Sequence, residues 1–174
     1  MEQYMSVVAE IGDLTKSGTQ CIVNAANGCG IMGKGTAGAI AKNGGKTIQE
    51  EAKEVVKAHG GPFDAGNCYM THAGKLKKNG IQRIYHAVTM KFPGGLTSIF
   101  TVEEAMRSAV KLALKNQEKS IAFPGLGTGI GRLDKATVAE TMLRVAKEYE
   151  NELDIYIIDL DPSFISEVKQ RMET

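Results

Sequence analysis

Two glycine-rich stretches hold the residues best suited to chemistry: Gly28-Cys29-Gly30-Ile31-Met32-Gly33-Lys34-Gly35-Thr36-Ala37-Gly38 and Gly125-Leu126-Gly127-Thr128-Gly129-Ile130-Gly131. Glycine accepts positive φ and lets the backbone lie close to a ligand, so consecutive amides can form a nest around phosphate oxygens. A helix starting after each loop would add unsatisfied amides and the positive end of a dipole. Two such loops, each following an apolar run of strand length, predict a diphosphate held from both sides; the plain alternative is a pair of flexible turns. The dinucleotide fingerprint G-x-G-x-x-G is matched by residues 28–33 and again by 33–38, but the acidic residue it needs at the end of a second strand is missing. Glu50 and Glu51 fall inside a helical segment instead, so hydride transfer is not expected. Residues 28–35 stop one position short of a Walker A loop and put Gly35 where a magnesium-binding hydroxyl must stand.

The elements that must carry these loops follow from periodicity. Apolar runs at 7–9, 21–23, 68–72, 83–88, 120–124 and 155–158 read as strands. Thr47-Ile48-Gln49-Glu50 and Thr101-Val102-Glu103-Glu104 have the form of capping boxes, in which Thr accepts from the third helical amide and Glu reaches back. They predict a helix over 48–59, ended by Gly60-Gly61-Pro62, and another through Val102, Ala105, Met106, Ala109, Val110 and Ala113. A further helix is expected after the first glycine loop. Asp134 reads as the N-cap of the next, with Ala136, Ala139, Met142, Leu143 and Ala146 as its buried stripe, and a closing helix covers 163–172. Alternation of this kind implies a mostly parallel sheet with helices on both faces and ligands bound beyond the carboxyl ends of the strands.

With 174 residues, 43% hydrophobic and 24% charged, the chain is expected to fold as one domain over 1–174. A domain of that size buries ~70% of its unfolded surface, which excludes a disordered or low-complexity class. The balance of 21 Lys and Arg against 20 Asp and Glu leaves +1, so an anionic ligand must be held locally. The opening Met1-Glu2-Gln3-Tyr4-Met5 lacks the apolar run of a signal peptide and no segment approaches the ~18 apolar residues of a membrane span, so a cytoplasmic protein is expected. Cys21, Cys29 and Cys68 form no C-x-x-C pair and are expected to be reduced and structural. His59, His72 and His86 show no H-x-x-x-H spacing, so no metal is expected.

Taken in order, four segments closely resemble the macro domain family over nearly the whole chain: Gly12-Asp13-Leu14-Thr15, Ile22-Val23-Asn24-Ala25-Ala26-Asn27, Gly33-Lys34-Gly35-Thr36-Ala37-Gly38-Ala39-Ile40, and Ala122-Phe123-Pro124 with Gly127-Thr128-Gly129-Ile130. The Asn-Ala-Ala-Asn sequence between a strand and a glycine loop is the specific part. Gly61-Pro62, and His86 taken as the end of a strand, are similar to the family as well. The resemblance implies a three-layer α/β/α sandwich around a mixed, mostly parallel sheet of six or seven strands, with ADP-ribose in a cleft along the sheet's edge and no cofactor. It implies Asp13 as acceptor for the adenine amino group, the Leu14 amide beside it and Leu160 under the ring. Gly125, Gly127, Thr128, Gly129, Ile130 and Gly131 would cradle the diphosphate from one side. Gly33, Lys34, Gly35, Thr36 and Ala37 would approach it and the distal ribose from the other, with Ala25 also among the binding residues. Asn27 would hydrogen-bond that ribose and, in a hydrolase, take part in catalysis. By residue type alone Asp13 can equally cap a turn, and Asn24 and Asn27 can satisfy loop backbone; Asn24 reads as mainly structural.

Several positions depart from the subfamilies. One hydrolase branch carries a general-base Asp where this chain has Ala37. Another uses a loop lysine that bonds covalently to the sugar, with an assisting Asp; the matching places here are Ala41, with Lys42 adjacent, and Gly131. Viral macro domains are similar in their Gly-x-Gly-x-Ala-Gly-Ala pattern, carry Ala at the first of these places, and still remove ADP-ribose. Leu160 and Gly131 stand where many members stack an aromatic ring, a loss of ~0.5–1.5 kcal/mol per contact. Lys34 and Arg132 can pair with phosphate or stay solvated. Residues 36–45 also resemble the macro domain attached to a histone variant, in which binding matters more than catalysis. Two readings result: an ADP-ribose-binding domain that hydrolyses ADP-ribose from mono-ADP-ribosylated proteins or acts on O-acetyl-ADP-ribose, and a non-catalytic reader of ADP-ribose or ADP-ribosylated partners. Recognition of a terminal adenylate on RNA fits the near-neutral charge poorly. The expected partner is ADP-ribose or an ADP-ribosylated protein, with neither membrane nor nucleic acid, and the expected state is a monomer.

Overall fold

The computed structural model describes residues 7–173; Met1-Glu2-Gln3-Tyr4-Met5, and the expectation drawn from them, lie outside that range. The strands are β1 (Val7–Ile11), β2 (Cys21–Asn27), β3 (Cys68–His72), β4 (Arg83–Met90), β5 (Ser120–Phe123) and β6 (Asp154–Asp159). They form one six-stranded sheet in the order β1-β6-β5-β2-β4-β3, parallel throughout except for β3, which runs antiparallel to β4 at the edge. The α-helices are α1 (Gly35–Gly44), α2 (Thr47–His59), α3 (Ile99–Lys115), α4 (Lys135–Glu148) and α5 (Pro162–Met172). The mixed sheet between two helical layers is the expected sandwich.

Strand side chains alternate between two cores. Val23, Tyr85, Ile121, Phe123, Ile155 and Ile157 pack against α3, α4 and α5, while Ile22, Ile84, Ala122 and Ile158 pack against α1, the start of α2 and the 3-10 segment Gly74–Asn79. With both faces covered, β4 is buried from Ile84 to Met90, which is why it reads as an unbroken apolar run rather than an alternating one. It also runs past the expected end at 88, so His86 sits in mid-strand and not at a strand end.

Helix starts differ from the capping-box reading. Gly45 and Lys46 alone separate α1 from α2, and Lys46 already has helical dihedrals, so Thr47 is the first helical residue and caps nothing. At α3 the N-cap is Ser98, extended at φ −152, whose Oγ accepts from the Thr101 amide at 3.2 Å. Glu103, one residue short of the box's glutamate, bridges Arg107 at 2.8 Å and Arg144 of α4 at 2.6 Å. Asp134 does cap α4, accepting from the Thr137 amide at 3.0 Å. Gly60, at φ 99, closes α2 with Gly60 N donating to Lys57 O and Gly61 N to Val56 O. Among the described residues no helix is long and apolar enough to cross a membrane. The three cysteines are free thiols, and burial pushes the Cys21 and Cys68 thiols far above their ordinary range.

The cap assignment at α3 is testable by equilibrium urea unfolding. Ser98→Ala should cost ~1 kcal/mol of stability, whereas Thr101→Ala, which keeps the backbone donor, should cost less than half as much; the reverse ranking would restore Thr101 as the cap.

Candidate functional site

A crevice opens where two neighbouring parallel strands send their following chain to opposite faces. β2 leads through the first glycine loop to α1 on one face, and β5, which pairs with β2, leads through the second loop to α4 on the other. Such a switch point lies outside the carboxyl ends of neighbouring strands, and the cleft there follows the carboxyl edge of the sheet from the segment after β1 to the end of β4.

Asn27, the last residue of β2, pins the first loop. Its Oδ1 accepts from Cys29 N at 3.0 Å and Ile31 N at 3.3 Å, and its Nδ2 donates to Ile31 O at 2.9 Å, leaving one amide hydrogen uncommitted. Next to it Gly28 N donates to Met90 O and Lys91 O, and a Cβ there would run into the Phe63 carbonyl oxygen, so only glycine permits the approach. Gln49 Oε1 accepts from Met32 N at 2.6 Å. Beyond these anchors the loop enters α1 with no side-chain cap: Lys34 is extended at φ −137, and Gly35 takes φ 60. The amides of Gly35, Thr36 and Ala37 meet no acceptor among the described residues, and the first helical bond is Gly38 N to Lys34 O at 3.1 Å.

The second loop is held by a carboxylate. Asp159, at the end of β6, accepts from Gly125 N through Oδ2 and from Asp161 N through Oδ1, both at 2.9 Å. Leu126 is fully buried, and Leu133 N returns to Gly127 O at 2.9 Å. The amides of Gly127, Gly129, Ile130 and Gly131 donate to nothing among the described residues. Asp134 caps α4 at the Thr137 amide, and no residue of α4 lines the cleft on this side, contrary to the expectation that a helix start would serve each loop. At Gly131 a Cβ would meet Thr97 Cγ2 at 2.7 Å and Gly127 O at 2.8 Å, so a side chain there would run into the chain preceding α3.

Two compartments share Gly35 and Thr36. The larger, of about 430 Å³, is lined by Ala25, Asn27, Gly33, Lys34, Ala37, Gly125, Gly127, Gly129, Ile130 and Gly131 of the expected set. The smaller, of about 300 Å³, is lined by Asp13, Leu14 and Leu160. Asp13 caps the 3-10 turn Leu14–Lys16, its Oδ1 accepting from Thr15 N at 2.9 Å and Thr15 Oγ1 at 2.7 Å, while Oδ2 takes no partner among the described residues. Thr128 lines neither compartment, its hydroxyl turning back to Gly125 O at 3.4 Å. Arg132 and Lys42 also line neither; Arg132 adopts φ 53 beside the loop. Lining residues outside the expected set include Ile31, Thr89, Met90, Pro93 and Gly94 in the larger compartment and Asp159 in the smaller. The signal for them was available, since Pro93-Gly94-Gly95 is a turn sequence just past an apolar run and Asp159 follows another.

The Macro domain profile matches residues 23–142. The chain belongs to the macro domain family. An uncharacterized protein of Aquifex aeolicus is 36% identical over 163 residues, covering 92% of this chain and 94% of that one. The O-acetyl-ADP-ribose deacetylase of Salmonella typhimurium is 32% identical over 139 residues, 79% of this chain and 75% of its own length. Among solved structures, an Oceanobacillus iheyensis macrodomain variant with ADP-ribose superposes with a TM-score of 0.83 at 24% identity, covering 96% of this chain and 90% of that one. A Trypanosoma brucei macrodomain in complex with ADP gives 0.80 at 22% identity, covering 95% and 68%. These superpositions establish a macro domain fold.

The first asparagine of the family motif serves the macro domain's core. Asn24 is buried, and its Nδ2 lies 3.0 Å from His86 Nδ1; His86 Nε2 in turn lies 2.9 Å from Thr71 Oγ1, which donates to His72 O at 3.0 Å. That chain of donors is satisfied by neutral imidazole protonated at Nε2. The ring also stacks in a column, His86 on Tyr69, Tyr69 on Phe63 and Phe63 on His59, with centroids 4.7, 4.8 and 3.8 Å apart. Complete burial lowers the His86 pKa to about 3. Because the folded value lies below the unfolded one near 6.5, His86 contributes stability that is present above pH 6.5 and is lost as pH falls toward 3. The loss reaches ~1.4 kcal/mol per pH unit. Urea unfolding at pH 7 and pH 5 should therefore differ by ~2 kcal/mol from this group, and His86→Gln should remove most of the difference while lowering stability at pH 7; a stability unchanged down to pH 5 would contradict the burial of a neutral ring.

Proposed function

We propose that the cleft binds ADP-ribose, with adenine in the smaller compartment, the diphosphate between the two loops and the distal ribose in the larger compartment. The observation that carries this reading is Asp13: an uncommitted carboxylate oxygen at one end of a cleft whose middle is walled by undonated amides on both sides. A carboxylate accepts from the exocyclic amino group of adenine, and open amides accept the charge of a diphosphate. The names of the Salmonella relative and of the Oceanobacillus structure support the same ligand.

The activity proposed for this site is hydrolysis at the distal ribose, of an ester such as that in O-acetyl-ADP-ribose or of the bond to a modified side chain. Binding would place water, Asn27 and the ligand's own phosphate around the reacting carbon, without a cofactor. One observation favours the reader alternative: among the described residues no Asp, Glu or His lines the larger compartment, and the Asn27 oxygen is already taken by two loop amides. Calorimetric titration with ADP-ribose, with ADP, AMP and NAD as comparisons, followed by incubation with O-acetyl-ADP-ribose and with a mono-ADP-ribosylated protein, separates the two. Release of acetate or of ADP-ribose supports the hydrolase; tight binding without turnover makes the protein a reader; no binding overturns the ligand assignment.

Asp13→Ala should weaken ADP-ribose binding by ~1–3 kcal/mol, the scale of a hydrogen bond to a charged group. Asp13→Asn separates recognition from capping, because the amide can keep the Thr15 contact through oxygen while presenting a donor to adenine. Loss in both variants assigns Asp13 to the base; loss in the alanine variant alone assigns it to the turn.

A further inference from the structure

The larger compartment extends beyond the two glycine loops, to a wall made by the end of β4 and the turn that follows it. Met90 closes β4, Thr89 is bulged out of register with β2, and residues 92–95 form a turn with Gly95 N donating to Phe92 O at 2.9 Å and Gly94 at φ 72. Proline followed by a positive-φ glycine presets this turn, so the Pro93 wall is preformed. From the first loop Ile31 reaches the same compartment with 46% of its surface exposed. The polar side chains near these apolar ones are largely in use: Thr89 Oγ1 donates to Ala26 O at 3.3 Å, and Asn27 is bound to its own loop except for one amide hydrogen, which the distal ribose would take. Lys34 is the one charged residue among those lining the compartment.

We propose that this end of the cleft is an acyl subsite, which takes the alkyl tail of a short-chain acyl ester on the distal ribose and favours three- and four-carbon acyl groups over acetyl. The proposal rests on the ADP-ribose reading and names the substrate class within it. A linked peptide would bring an amide donor and acceptor for every residue into a region whose polar side chains are in use, and unpaired buried amides are costly. An alkyl tail makes no such demand and gains contact with Ile31, Met90 and Pro93. Met90 adds an unbranched thioether that adapts to tails of different length. Each methylene buried there should tighten binding about fourfold.

The test is an equilibrium competition series against ADP-ribose, using the acetamide, propionamide and butyramide analogues in which nitrogen replaces the 3″ ester oxygen, so that turnover does not consume the probe. The expected result is affinity rising with chain length to a butyryl-to-acetyl ratio of about 15, two methylenes at the same increment. In Ile31→Ser, a substitution at an exposed position whose folding is checked by thermal melting, the ratio should collapse to about 4 or less, the loss of one such increment. ADP-ribose binding with an analogue series that is flat, falls with length, or keeps its full slope in Ile31→Ser overturns the acyl subsite and leaves the ADP-ribose reading in place. Failure of ADP-ribose and every analogue to bind overturns the ligand assignment, and the subsite with it.

Discussion

A loop that offers its amides to a ligand gives up the hydrogen bonds that would otherwise hold its shape, and every anchor around this cleft answers that constraint. On the first loop the substitute bonds come from the Asn27 side chain, the Gln49 amide oxygen and the Gly28 backbone wedged between Met90, Lys91 and Phe63. On the second they come from Asp159, whose two carboxylate oxygens tie Gly125 and Asp161 together across the ends of β5 and β6. Leu126, buried between glycines on either side, fastens the same loop from below. The open amides are thus preorganised by other groups of the chain, of which Asn27 alone keeps a hydrogen for the ligand.

The two sides of the cleft are built differently. On the α1 side the donors are those of a helix start, aligned with the dipole and left open because Lys34 is no cap. On the α4 side the helix start lies away from the cleft lining, so the donors belong to the loop itself, shaped by positive φ at Gly127 and by the return bond from Leu133. The difference accounts for the spacing in the sequence. The first loop runs straight into its helix, whereas three residues separate Gly131 from Lys135.

This asymmetry also marks how far sequence reasoning reaches. Strand positions and the two loops were legible because apolar runs and glycine clusters are local signals. The helix caps were less so: Ser98 and Thr101 lie three residues apart and both can cap, and only the packing of α3 selects the first. Asn27 shows the limit more sharply. Its residue type is right both for a ribose and for holding a loop, and the structure shows the second use while leaving one hydrogen open to the first. Asp159 and the Pro93 turn escaped notice because their importance depends on which strand ends are neighbours, a matter of sheet order that periodicity does not reveal.

Charge completes the account by fixing the direction in which an anionic, two-ended ligand lies. A phosphate charge brought to ~4 Å from the open Asp13 oxygen would meet ~4 kcal/mol of repulsion at an effective dielectric of 20, while the same charge between the loops faces only donors. The other carboxylate of the smaller compartment, Asp159, has an amide on each oxygen, whereas Asp13 keeps Oδ2 open. In the proposed binding mode, with the base at Asp13 and the diphosphate in mid-cleft, whatever is attached to the far ribose would face Ile31, Met90 and Pro93. Lining without a carboxylate or imidazole cannot select that group by its charge or by offering it a base. Selection at that end is left to shape and to the cost of burying polar atoms, the two quantities that the bulge of β4 and the preset turn after it control.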